Sequence, residues 1–405
     1  MNSLLNESDW LQELDWLDKQ SDAMLQLVEN LANINSGTFN LDGLKTVADC
    51  LTTEFGKLDG DLSILESHPQ HSINSAGKPE QRMLGNSIHI SKRSSAKKKI
   101  LLCIHMDTVY AKDHSFQKCQ WLENGNLNGP GVADAKGGLI VMLYALLAFE
   151  KTPLAKHIGW EVLINPDEEI GSPGSVHLIN EIAQRCSAGL LFEPALPDGT
   201  LVSWRKGSGN FTFVAKGRSA HSGREFEKGR NAIVAMAKLM EAIDQLNSTP
   251  EITYNIGNFQ GGGALNVVPD LAIGRVNVRV KTVEQQNQVE QQFAELVRTA
   301  NQSDGISIEM HGQFSSPPKP MSQGTAELQL RIEKCAEMLG KQINWRGTGG
   351  ACDGNKFAAA GLPNIDTLGP RGGDIHSMDE YLIPESLVPS AKLVTLILLS
   401  FANEI

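Results

Sequence analysis

The chain lacks any excess of basic charge: 36 Lys and Arg stand against 47 Asp and Glu in 405 residues, for a net charge of −11. General nucleic-acid binding needs a basic surface to displace counterions, so that class is excluded. The six cysteines (Cys50, Cys103, Cys119, Cys186, Cys335, Cys352) include no CxxC pair. In a long chain they read as reduced, mostly buried thiols. No apolar stretch reads as long enough for a membrane span. The acidic start, MNSLLNESDWLQELDWLDK, has no basic segment followed by an apolar run, so no secretory signal is expected. A cytoplasmic protein without a membrane or nucleic-acid partner is the expectation. Internal repeats and low-complexity tracts are also missing.

What is present is an ordinary globular composition, 41% hydrophobic and 20% charged, with length enough for two domains. Apolar recurrence at three and four positions predicts an amphipathic helix over 8–33. A break follows at SGTFN (36–40), then a helix over 41–56. KKKILLCIHMD, GWEVLINPDEE and GLLFEP read as covered strands, and KGGLIVMLYALLAFE (136–150) as a buried helix. This alternation predicts a layered α/β domain. From Lys206 to His311 the texture changes to alternating strands such as GNFTFVAKG and AIGRVNVRV, with helices over 230–247 and 283–301. The stretch 312–324, rich in Pro, Ser and Gly, reads as a linker. The predicted organisation is an α/β domain over 1–205 and 316–405, interrupted by an α+β domain over 206–315.

Several apolar strands end on potential metal ligands. In IHMD, His105 and Asp107 share one strand face, because the side-chain period is two. GPGVADAKGG places Asp134 in a glycine-rich loop ahead of a helix, PDEE supplies Glu168 and Glu169, FEP supplies Glu193, and DIHS supplies His376. Functional groups in open α/β sheets collect beyond the carboxyl ends of strands. A mixed His and carboxylate set suits zinc. Five ligands exceed what one tetrahedral ion with a water position accepts; they fit two ions bridged by a carboxylate. Taken singly, each has a plainer reading: a core histidine, a solvated acidic turn, or Asp134 as a helix N-cap. The glycine-rich loop lacks both the GxGxxG and the GK(S/T) spacings of a phosphate cradle.

In combination, HMDTVY, GPGVADAKGG, DEEIGSPGS, FEP and IHS, in this order, resemble the dinuclear zinc family of glutamate carboxypeptidase, aminoacylase and succinyl-diaminopimelate desuccinylase. With NINSGTFNLDG added, the glutamate carboxypeptidase branch is the nearest likeness. The resemblance implies a zinc-hydrolase catalytic domain with an inserted lid that dimerises. It implies two Zn2+ per chain, with Co2+ or Mn2+ also fitting the ligands. His105 and Glu193 would bind one ion, Glu169 and His376 the other, and Asp134 both. Asp107 would orient His105, and Glu168 would be the general base.

In the lid, KGRSAHSGREFEKGRNAI and GGGALNVVPDLAIGRVNVRV match the same family. His221 would reach the partner's active site, while Asn266 and Arg279 would bind the substrate carboxylate. The sequence departs from the family at Asn277, where Asp is common, and in GGACDG, where Ala351 and Cys352 precede Asp353. Arg371 also stands shortly before His376. Glu at position 193 implies a carboxypeptidase or deacylase in preference to an aminopeptidase. The expected activity is zinc-dependent release of a C-terminal amino acid from a peptide or N-acyl amino acid. An N-acyl amino acid deacylase, a two-carboxylate glycosidase and an inactive binding protein on the same scaffold are the alternatives.

Overall fold

The computed structural model describes residues 11–247 and 251–403. Six strands form a mixed sheet in the spatial order Asp61–Leu65, Ser87–Lys92, Gly159–Asn165, Lys99–His105, Ala188–Leu191, Asn364–Ile365. The last four run parallel and the first two pair antiparallel. Along Lys99–His105, Ile100, Leu102 and Ile104 enter one core while Leu101 and Cys103 enter another. Successive side chains take opposite faces, and both faces are covered, so the strand reads as a continuous apolar run. The helices Gly137–Glu150 and Leu387–Ala402 contribute to the first core, and Val176–Ala183 and Asp353–Ala359 to the second.

Two helical stretches, Val132–Glu150 and Pro384–Ala402, are long and apolar enough to cross a membrane, contrary to the expectation from sequence. Both lie largely inside the protein. The first is apolar all round because helices and sheet enclose it. The helix expected over 8–33 is broken: within the described residues it is Leu11–Asp18 and Ser21–Ala32, and residues 8–10 lie outside them. The turn at Lys19–Gln20 lets Leu17 and Met24 both enter the core. Of the cysteines, Cys103, Cys335 and Cys352 are buried, Cys119 and Cys186 are half-buried and Cys50 is exposed, so burial is less general than expected.

A second sheet, antiparallel, has the order Thr253–Gly261, Leu271–Val280, Gly207–Lys216, Ser307–Ser316. The helices Ala232–Asp244 and Val283–Ala300 cover one face around a separate core. There Phe293 packs edge-on against Phe211 and Phe213 at centroid distances of 5.0 and 5.4 Å. The segment expected as a linker begins as strand: residues 312–316 complete Ser307–Ser316, and Phe314 is buried against Phe211. Its polar texture belongs to an edge strand with one side open to water. The chain leaves the first sheet region through Arg205 and returns through Lys319. These two residues exchange backbone hydrogen bonds of 3.0 and 3.1 Å.

Candidate metal centre and active site

His105 ends the central parallel strand, and Glu193 follows the neighbouring strand Ala188–Leu191 by two residues. Asp134 lies in an irregular turn just before the helix Gly137–Glu150. Gly138 lets that helix approach Phe192: a Cβ there would sit 2.1 Å from the Phe192 carbonyl oxygen. The approach brings Asp134 towards Glu193. The loop between two short strands carries His376 in the left-handed region, with φ of 63°.

The resulting geometry gathers all five expected ligands into two groups. His105, Asp134 and Glu193 form one; Asp134, Glu169 and His376 form the other; within each, the donor atoms lie within 4.8 Å of one another. His105 Nε2 stands 3.1 Å from Asp134 Oδ1 and 3.9 Å from Glu193 Oε2. His376 Nε2 stands 3.2 Å from Asp134 Oδ2 and 3.3 Å from Glu169 Oε2. Each carboxylate oxygen of Asp134 therefore faces a different group. Asp134 caps no helix. The first group is buried, whereas the His376 side chain is half exposed, so the site opens on the His376 side.

Asp107 lies behind His105. His105 Nδ1 is 3.0 Å from the Asp107 carbonyl oxygen, which can only accept, so this nitrogen carries a proton and Nε2 is the nitrogen turned to the centre. The Asp107 carboxylate accepts the Glu168 and Glu169 backbone N–H groups at 3.1 and 3.3 Å and the Thr38 hydroxyl at 2.6 Å. The two adjacent glutamates are thus fixed through their backbone, on the short helical turn that follows the strand Gly159–Asn165.

The charge balance fits divalent cations. Burial and Glu193 push the Glu168 carboxyl well above the usual range. Burial and Asp134 push Glu169 up to about 7, and burial raises Glu193 as well. Asp134 is held low against the effect of burial by the two histidines. Four carboxylates share this pocket with two imidazoles, so protein groups alone leave negative charge uncompensated. Nitrogen and oxygen donors in two groups with a shared carboxylate match a pair of zinc-like ions.

Sequence reasoning missed two supporting residues. Glu380, 1% exposed, accepts the backbone N–H groups of Gly131, Ala133 and Asp134 at 3.0–3.1 Å and the Tyr110 hydroxyl at 2.8 Å. It holds the turn that presents Asp134, and burial and the Asp134 charge push its carboxyl up to about 7. An acidic residue four positions after His376 was the available signal. Asp167, which precedes Glu168 in PDEE, accepts Gly174 N–H, Ser175 N–H and the Ser175 hydroxyl and so shapes the loop beyond Glu169.

His221, Asn266 and Arg279 do not meet at one place within the chain. His221 pairs in a β-bridge with Val267, and Ser222 N–H donates to the Asn266 carbonyl, so His221 and Asn266 share one exposed loop pair. That pair lies beyond the Leu271 end of the strand Leu271–Val280, while Arg279 is near the other end. Eight residues at ~3.3 Å each put ~26 Å between the two ends. Arg279 turns instead to Gly349 and Asn277: Nη1 donates to the Gly349 carbonyl at 3.4 Å and Nε to Asn277 Oδ1 at 3.0 Å. Asn277 fits because its amide donates to the Gly209 carbonyl and Asn210 Oδ1, acceptors that would repel a carboxylate.

Comparison with known proteins places this geometry in context. Residues 101–400 match the model of peptidase family M20/M25/M40. The chain is 27% identical to carboxypeptidase G2 of Pseudomonas sp. (strain RS-16), over 92% of this chain and 88% of that protein. It is 29% identical to succinyl-diaminopimelate desuccinylase of Pseudoalteromonas translucida (strain TAC 125), over 66% and 73%. A tripeptidase from Staphylococcus aureus has the same fold at a TM-score of 0.74 and 23% identity, over 95% of this chain and 99% of that one. With the family model spanning most of its length, the chain is a hydrolase that belongs to peptidase family M20/M25/M40.

Proposed function

We propose that the protein is a metal-dependent amide hydrolase that releases a C-terminal amino acid from a small peptide or N-acyl amino acid. The observation that carries this reading is the pair of three-donor groups sharing Asp134, with the half-buried Glu168 next to Glu169 and close enough to Glu193 to feel its charge. His105 and Glu193 would hold one Zn2+ and Glu169 and His376 the other; Co2+ or Mn2+ suits the same donors. When bound, the ions supply Lewis acidity towards the scissile carbonyl and the attacking water. Glu168 accepts the proton of that water and returns it to the leaving amine.

Arg279 supports recognition of a free carboxylate. Among the described residues no carboxylate pairs with it, its neighbour Asn277 is neutral, and a planar guanidinium pairs two oxygens at once. His221 and Asn266, remote from Arg279 along the strand, would complete the site of a second chain in a homodimer formed through the 207–316 unit. There His221 would steady the oxyanion. A cytoplasmic location belongs to the same proposal, supported by six free cysteines.

The deacylase reading has its own support in the desuccinylase relative, and it shares every catalytic role above. Hydrolysis of N-acyl glutamates, other N-acyl amino acids and dipeptides separates the two. Each is assayed as purified, after chelation and after zinc is restored, with Glu168→Gln as control. Activity that follows zinc and vanishes in the variant supports the proposal. Full metal occupancy without turnover on any of these substrates overturns the substrate class.

A further inference from the structure

Asp353 and Lys356 form a buried ion pair of 2.8 Å, each side chain 2% exposed, in a place where neither is a metal ligand. A buried pair of this kind adds little net stability over apolar packing, because desolvation offsets the attraction. Its position is informative. Asp353 Oδ2 accepts the Asn165 amide at 2.7 Å, and Asp353 Oδ1 accepts the Ser172 hydroxyl at 2.5 Å. Asn165 is the last residue of the strand Gly159–Asn165, and Ser172 lies just past the turn that carries Glu168 and Glu169. One carboxylate therefore grips both ends of the segment that presents the base. Asp107 grips its middle through the two backbone N–H groups.

Asp353 also opens the helix Asp353–Ala359 directly after residues 349–352. Arg279 donates to the Gly349 carbonyl, and Arg205, buried at the crossing into the second sheet, donates to the Gly350 carbonyl at 3.3 Å. Cys352 closes this loop onto the helix: its Sγ accepts Gly354 N–H, and its own N–H donates to Asn355 Oδ1. The loop is thus tied at one end to the guanidinium proposed to hold the substrate carboxylate, and at the other to the carboxylate that frames the base.

We propose that Asp353 is a positioning residue that couples occupancy of Arg279 to the placement of Glu168, through residues 349–353 and the grip on Asn165 and Ser172. A substrate carboxylate drawn to Arg279 competes with the Gly349 carbonyl for the guanidinium, and the change reaches the base turn through Asp353. This rests on the proposed roles of Arg279 and Glu168.

The test uses zinc-loaded full-length protein with Asp353→Asn, which alters the charge, and Ser172→Ala, which removes one hydrogen bond. For substrates with a free carboxylate, kcat is expected to fall about 100-fold in Asp353→Asn and about 10-fold in Ser172→Ala, with zinc content unchanged. The fall is expected to be smaller for the same substrates with the carboxylate amidated, a difference that a purely structural role would not produce. Hydrogen exchange of residues 166–172, with and without added glutamate, reads the coupling independently of turnover. Protection gained on adding glutamate in the wild type, and lost in both variants, supports it. Equal loss on free and amidated substrates, or no glutamate-dependent protection in the wild type, overturns the coupling. A wild type inactive on every amide but protected by glutamate would sink the proposed reaction and leave the coupling standing. Should Asp353→Asn fail to fold, Ser172→Ala carries both readouts.

Discussion

The Asp107 carboxylate accepts the backbone N–H of Glu168 at 3.1 Å, while the Asp107 carbonyl oxygen faces Nδ1 of His105 at 3.0 Å. One buried residue thus orients the imidazole of a candidate metal ligand and the peptide that carries the proposed base. Three adjacent acids, Asp167, Glu168 and Glu169, can therefore follow a buried strand. Asp167 shapes the loop beyond them, Glu168 and Glu169 are held by their backbone, and their side chains remain available to the centre.

His105 Nδ1 also stands 3.3 Å from Asp107 Oδ1, so replacement of Asp107 by Asn should damage metal binding and catalysis together. An amide offers donors where Thr38, Glu168 and Glu169 also donate. Zinc affinity, measured by competition with a chelator, is expected to drop about 10- to 100-fold. The residual kcat at saturating zinc is expected to remain below wild type, because the base turn has lost its anchor.

Glu168→Gln should separate the two effects. Glu168 belongs to neither ligand group, so two ions per chain should bind as in the wild type. The loss should fall on kcat, by about 100- to 10,000-fold, with KM little changed. Lower metal content in this variant would make Glu168 a ligand and contradict its proposed role.

The alternation of strands and helices was legible in the sequence, and so was the gathering of the five candidate ligands, because His105 ends a covered strand and Glu169 and Glu193 follow covered strands. The supporting carboxylates were not. Glu380 contacts Asp134 across 246 residues of chain, and nothing in its own neighbourhood marks it as buried. The strand over 307–316 was hidden for a related reason: an edge strand pairs on one side only, so Ser and Gly are tolerated there and imitate a linker. The relation between His221 and Arg279 was equally hidden, since both lie in one continuous motif-bearing stretch. Only the pairing of the strands shows that they occupy opposite ends of the sheet.

Glu380→Gln should weaken the proposed metal centre without replacing a ligand. The glutamine has one acceptor oxygen where the structure uses two, leaving at least one buried N–H of the Asp134 turn unpaired. The cost is about 1–3 kcal/mol. Reduced zinc stoichiometry at limiting metal, recovered at high zinc, is the expected result in a metal titration.

Acid stability should depend on Glu161, away from the centre. Burial opposes its ionisation, yet His89, Arg185 and Lys99 hold its carboxyl down to about 2. A carboxyl lowered on folding stabilises the protein above its unfolded pKa of about 4.3, and the contribution is lost as pH falls towards 2. Glu161→Gln is therefore expected to cost on the order of 2 kcal/mol at pH 7, with allowance for the partly exposed Arg185. The gap between variant and wild type should narrow below about pH 4.3 in urea unfolding. A gap that stays constant down to pH 2 would rule out the ion cluster as its source.

The distance between His221 and Arg279 gives the proposed dimer a direct test. Neither His221→Ala nor Glu168→Gln should be active alone. If His221 serves the partner, a mixed dimer of the two variants contains one site with an intact Glu168 from one chain and an intact His221 from the other. Random exchange makes half the dimers mixed, with one of two sites restored, so mixing should recover about a quarter of wild-type activity. The recovery should depend on subunit exchange, developing over time after mixing and disappearing if the chains are first cross-linked within their own dimers. If His221 acted on its own chain, every mixed site would lack one of the two groups, and mixing would recover nothing.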